Sequence, residues 1–139
     1  MFAKLDLREI LNNIQVIATY DFKLKTEKKR EKIQDKIKSV IDKHNLKHVR
    51  KEYVRAIGNG IKHGQCPVKC VVYIGKHSRA IITIQDSGHG FDYQDVINKF
   101  NKGQKYYHHH GCGTRSLAHN ENLTVDWEQQ GRKIILYYH

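Results

Sequence analysis

Ala80-Ile81-Ile82-Thr83-Ile84-Gln85-Asp86-Ser87-Gly88-His89-Gly90-Phe91 is an isoleucine-rich run that stops at an acid and two spaced glycines. A short apolar run bounded by turn residues reads as a buried β-strand. An aspartate at the end of such a strand is held rigidly at the rim of the sheet. Glycines at alternate positions after it permit positive φ and let backbone come close without a Cβ in the way. By itself the pattern is also that of an Asp-Gly-rich turn closing a hairpin.

Upstream, Val68, Cys70, Val72 and Ile74 alternate with their neighbours. With Gly75-Lys76-His77-Ser78 as the turn, they pair with 80–85 as a hairpin. Cys66-Pro67 ends a helix expected over about 48–63, where Val49, Tyr53, Ala56 and Ile57 form the apolar side. Gly58 and Gly60 inside it cost about 1 kcal/mol each relative to alanine, so each needs a separate reason. Thr26 is placed to cap a long helix with Ile33, Ile37, Val40 and Ile41 at helical spacing and a lysine-rich opposite face. Before it, Ile14 to Leu24 alternates as a strand, preceded by a turn or two of helix at Leu7, Ile10 and Leu11. Downstream, Val96, Ile97 and Phe100 predict a short helix, and 111–119 a loop leading into a helix. Leu123–Trp127 and Lys133–Tyr138 predict a closing hairpin. The order predicts one domain spanning residues 1–139, an α/β (α+β) two-layer sandwich. Its sheet is mixed but mostly antiparallel, with helices on one face.

Composition narrows the function classes. The chain has 139 residues, 39% of them hydrophobic and only one proline, which fits a single packed core and not a disordered segment. No stretch approaches the ~20 apolar residues of a membrane span, and the first residues lack a secretory pattern, so a soluble, cytoplasmic protein is expected. Cys66, Cys70 and Cys112 are an odd count, in keeping with free thiols in a reducing compartment. Lys and Arg total 25 against 14 Asp and Glu, a net charge of +11 that attracts anions of any kind.

Two further clusters flank the first. Arg55-Ala56-Ile57-Gly58-Asn59-Gly60-Ile61-Lys62-His63-Gly64 sets an asparagine, a small residue and a histidine late in a helix. Gly111-Cys112-Gly113-Thr114-Arg115-Ser116-Leu117 sets spaced glycines at a helix start, where backbone N–H groups and the helix dipole favour phosphate. In this order the three clusters resemble the N-box and two glycine boxes of the GHKL superfamily of ATPases (gyrase, heat-shock-type chaperones, histidine kinases, mismatch-repair ATPases). The layout is most similar to the anti-sigma-factor kinases.

The resemblance implies a Bergerat-type ATP-binding fold with ATP and Mg²⁺ as ligands. Asp86 would accept a hydrogen bond from the adenine amine, which guanine cannot donate from the same place, and Asn59 would offer its amide oxygen to Mg²⁺. Gly88, Gly90, Gly111, Gly113 and Thr114 would shape the pocket and lid, and Lys62, His63 and Arg115 would contact phosphates. It also implies a protein partner, a sigma factor or an anti-anti-sigma-like regulator, allows a homodimer, and makes phosphoryl transfer to that partner the reaction of an active enzyme.

One position departs from the pattern. Anti-sigma kinases and hydrolytic relatives carry a glutamate one turn before the asparagine as general base, where this chain has Arg55, which stays protonated and cannot serve as a base. Glu52 lies roughly two turns before Asn59, about 10 Å away along the helix axis, a long reach for a base. Histidine kinases carry a non-acidic residue at this position and still transfer phosphate, so Arg55 argues against hydrolysis more than against transfer.

Other chemistries are less well supported. His108-His109-His110 and the cysteines invite a zinc site, but Cys66 and Cys70 on an extended segment would sit ~13 Å apart. The positive charge admits a nucleic-acid-binding or protein-interaction module with a degenerate nucleotide site, although no zinc finger or ribonucleoprotein motif is present. No GxxxxGK phosphate loop occurs.

Overall fold

The computed structural model describes residues 1–103 and 117–139. Gly111, Cys112, Gly113, Thr114, Arg115 and the His108–His110 run therefore lie outside the described residues. In chain order the elements are α1 (Leu7–Ile14), β1 (Ala18–Leu24), α2 (Arg30–Lys43) and α3 (Glu52–Lys62). They are followed by β2 (Val68–Ile74), β3 (Ala80–Gln85), α4 (Tyr93–Asn101), β4 (Leu123–Glu128) and β5 (Lys133–Tyr138). The strands form one sheet in the order β1-β2-β3-β5-β4, and every neighbouring pair is antiparallel. One parallel bridge, from Phe2 to Val125, lies outside the five strands. The architecture is an α+β sandwich.

Packing explains the layering. The apolar stripe of α2 (Ile33, Ile37, Val40, Ile41) and that of α3 (Tyr53, Ala56, Ile57) bury against Val68, Cys70, Val72, Ile82, Ile84 and Leu136. This is the main core. Full burial of each isoleucine contributes about 1.5–3 kcal/mol. Residues one step along the same strands face the other way: Ile81 and Ile135 pack with Ile14 under the partly buried Leu7, Ile10 and Leu11. So α1 covers part of the opposite face, and the expectation of helices on one face alone is corrected. β3 is apolar at almost every position because its centre is covered on both sides.

Several boundaries also move. Ile14 ends α1, it does not begin the strand: Gln15 adopts a left-handed conformation (φ 54°) that closes the helix, and β1 starts at Ala18. Asp6 caps the start of α1 by accepting from the Glu9 amide at 3.2 Å. Thr26 precedes a short 3₁₀ turn at Glu27–Lys29, and its side chain makes no capping bond. α3 begins at Glu52, with the preceding residues in turns. Among the described residues no helix is long and apolar enough to cross a membrane.

Candidate functional site

Asp86 stands immediately beyond β3. Its amide donates to the Arg132 carbonyl at 2.9 Å, so the pairing with the last strand runs one step past the sheet and fixes the backbone. The Gly88 amide donates to Asp86 Oδ1 at 2.7 Å, a tight Asx turn. The Ser87 amide donates to the Gln65 carbonyl at 2.9 Å, and the Ser87 hydroxyl to the Pro67 carbonyl at 2.8 Å, which ties this loop to the segment leaving α3. Among the described residues Oδ2 accepts no hydrogen bond, so one carboxylate oxygen is held and the other is available.

The neighbouring glycines are there for space. A Cβ on Gly64 would run into the Asp86 carboxyl group and the Gly60 carbonyl, and one on Gly88 would lie 2.9 Å from Gly64 Cα. Gly88 keeps an ordinary negative φ. Only Gly90 of this pair uses the left-handed region, at φ 80°, where its backbone crosses that of Gln130. Burial pushes the Asp86 carboxyl above the usual aspartate value, and the Gly88 N–H and the nearby Arg132 guanidinium pull it part of the way back.

Asp86 opens onto a cleft of about 60 Å³ between the sheet and α3. That is room for about four to six water-sized spheres. Ala56, Ile84, Ile134 and Leu117 make its apolar surface, Asn59, His63 and Asp86 bring polar groups, and Gly60, Gly64, Gly90 and Gly131 expose backbone to it. Phe91, Trp127 and Arg132 complete the wall. Trp127 is itself braced by rings: Phe2 stacks on it at 5.7 Å and Tyr93 at 5.9 Å, while Phe91 meets it edge-on at 5.8 Å.

Asn59 and His63 also line a second, open groove of about 900 Å³ on the outer side of α3. Its other side chains include Arg30, Lys51, Arg55 and Lys62, with Glu27 as the carboxylate. Cleft and groove therefore meet across one turn of helix: a small apolar chamber with an acid at its edge, continuing into a basic channel.

The sequence-predicted residues divide accordingly. Asn59, His63, Asp86 and Gly90 come together at the cleft, and Gly88 supports Asp86 from behind. Lys62 and Arg55 line the groove but not the cleft. Glu52 joins neither, which removes it as a candidate base: it is buried, its carboxylate accepts from Asn120 Nδ2 at 2.5 Å and from the Tyr138 hydroxyl at 3.4 Å. Gly111, Gly113, Thr114 and Arg115 are outside the described residues. Phe91, Leu117, Trp127 and Arg132 were not singled out in the sequence. The one available signal was a lone tryptophan in the closing hairpin, which reads equally well as plain core.

Asn59 supplies a single neutral amide oxygen, too little to hold a bare Mg²⁺. It fits a Mg²⁺ that arrives already bound to phosphates and waters. No group of three or more His, Cys, Asp or Glu side chains is arranged to hold a metal among the described residues. Cys70 is buried in the core, and desolvation raises its thiol to about 12, so it is an inert apolar filler. No protein-family model, no curated protein and no solved structure matches the chain.

Proposed function

We propose that this domain binds ATP with Mg²⁺ and acts as a regulatory module for a protein partner, with the adenine in the cleft and the phosphates leaving across Asn59 toward the basic groove. The observation that carries the reading is convergence. Asp86, Asn59, His63 and Gly90 come from two separate stretches of chain, 59–63 and 86–90, yet they surround one chamber whose only charged acceptor among the described residues is Asp86. A flat base lying between the row Ile84, Ile134 and Trp127 on the sheet and Ala56 and Gly60 on α3 would lose water from both faces. Its exocyclic amine would donate to Asp86 Oδ2.

The chemistry open to such a site is limited. Arg55 cannot take a proton and Glu52 is held in the core, so neither of these two residues is placed to activate water. Nucleotide occupancy is a signal the domain can carry without hydrolysis. The sequence resemblance to GHKL ATPases supports nucleotide binding and supplies the partner class, a sigma factor or an anti-anti-sigma-like regulator.

Calorimetry with ATP, ADP and GTP, with and without Mg²⁺ and at two salt concentrations, tests the proposal. ATP binding through Asp86 should strongly prefer adenine over guanine, and that preference should change little with salt. Asp86→Asn removes a charge-assisted hydrogen bond of about 1.5–3 kcal/mol, so affinity should fall about ten- to a hundred-fold. Equal affinity of the variant and the parent for ATP would rule the assignment out. Steep loss of binding with salt and no base preference would instead mark a general polyanion binder.

A further inference from the structure

The outer groove carries one more feature. Lys51, Arg55, Gly58 and Lys62 follow one another at four, three and four residues, so they share a single stripe along α3. Gly58 is the one member without a side chain, and Arg30, the first residue of α2, fills that gap. A Cβ on Gly58 would lie 2.8 Å from Arg30 Nη2 and 3.4 Å from its Cζ. The guanidinium therefore rests directly on the helix backbone, half-buried, between the two flanking cations. The row of four is about 16 Å long. None of its members is in a salt bridge among the described residues. Among the described residues His63 is the one aromatic ring lining the groove, at its cleft end, so the groove offers no run of stacking platforms for successive nucleobases.

We infer that this groove is an oligophosphate-binding site in its own right, with Arg30, Arg55 and Lys62 as the ligands and Gly58 as the seat that admits Arg30. Four cations held side by side repel one another, and an anion of matching charge density relieves that repulsion; a guanidinium also grips phosphate through two parallel hydrogen bonds. The site goes beyond the nucleotide reading, because it requires no purine in the cleft. Two sources share this chemistry, the terminal phosphates of a nucleotide held in the cleft and the phosphate chain of a separate ligand.

Inorganic tripolyphosphate, titrated by calorimetry into the intact protein at near-physiological salt, is the direct probe. The parent should bind it, Asp86→Asn should bind it equally well, and the pair Arg30→Gln with Arg55→Gln should weaken it by about ten-fold or more. A control pair with the same loss of charge, Lys32→Gln with Lys36→Gln on the exposed face of α2, should stay within about two-fold. Gly58→Ala separates site from scaffold: it favours the helix, yet its methyl group displaces Arg30, so thermal stability should hold while tripolyphosphate affinity drops several-fold. No binding by the parent, or equal weakening by the control pair, overturns the inference. If tripolyphosphate displaces ATP but not adenosine, the site stands and serves the nucleotide's own phosphates; if ATP and tripolyphosphate bind together, it stands and serves a second ligand. Tripolyphosphate binding without any ATP binding would refute the nucleotide proposal alone.

Discussion

Burial holds the Asp86 carboxyl above its ordinary value of 3.8, and that direction has two consequences. Below the unfolded value the group is protonated in both states and folding carries no charge penalty. Above the raised folded value it is ionised in both, and folding bears the full cost of desolvating it. At pH 7 the residue therefore works against stability. Asp86→Asn should raise the thermal midpoint at neutral pH, with the gain shrinking as pH falls toward 3.8; a variant that is no more stable than the parent at pH 7 would contradict this. Ligand affinity should behave in the opposite sense in the parent. A base amine needs the ionised acceptor, so binding should weaken as pH drops through the raised value. A carboxylate buried at a cost to folding beside a cleft is a candidate functional position.

In α3 and just past its end, two glycines that look alike in sequence have different duties. A Cβ on Gly60 would meet Asp86 Cβ and Val68 at 3.7–3.9 Å, ordinary contact, so Gly60→Ala should stabilise the helix by about 0.5–1 kcal/mol. Gly64→Ala would drive a methyl into the Asp86 carboxyl and should cost about 1–3 kcal/mol, together with ligand binding. Thermal denaturation of the two variants distinguishes them, and similar midpoints would refute the assignment. At the other end of the helix, Asn120 Nδ2 donates to the His48 carbonyl at 2.9 Å as well as to Glu52. Asn120→Ala leaves a buried carboxylate and a carbonyl short of a donor and should lower stability by about 1–3 kcal/mol, read by denaturant unfolding. These elements were visible in the sequence to unequal degrees. Periodicity located every strand and helix, but Ile14 satisfies both a helical and an alternating pattern, and only the left-handed Gln15 decides between them. Asp86, Asn59, His63 and Gly90 could be picked out because their chemistry sits in short local patterns. Trp127, Arg132 and the Asn120 partner of Glu52 could not, since each matters through a contact more than 40 residues away.

Across the whole molecule, β3 is the axis: Ile82 and Ile84 face the main core while Ile81 faces the smaller one under α1. The side of the sheet that α1 would cover was not readable from its sequence, because an amphipathic helix records that it has an apolar stripe and not where that stripe docks. The positive charge is likewise unevenly spent in space, with a row along α3 beside the cleft and a lysine-rich outer face on α2. One consequence follows from the ring cluster at the cleft wall. Trp127 is the chain's single tryptophan, only 7% exposed, and it borders the chamber directly. The protein thus contains its own optical reporter: indole emission, excited without any label, should be quenched or shifted when a purine enters, saturate with the calorimetric isotherm, and stay unchanged when tripolyphosphate alone is added.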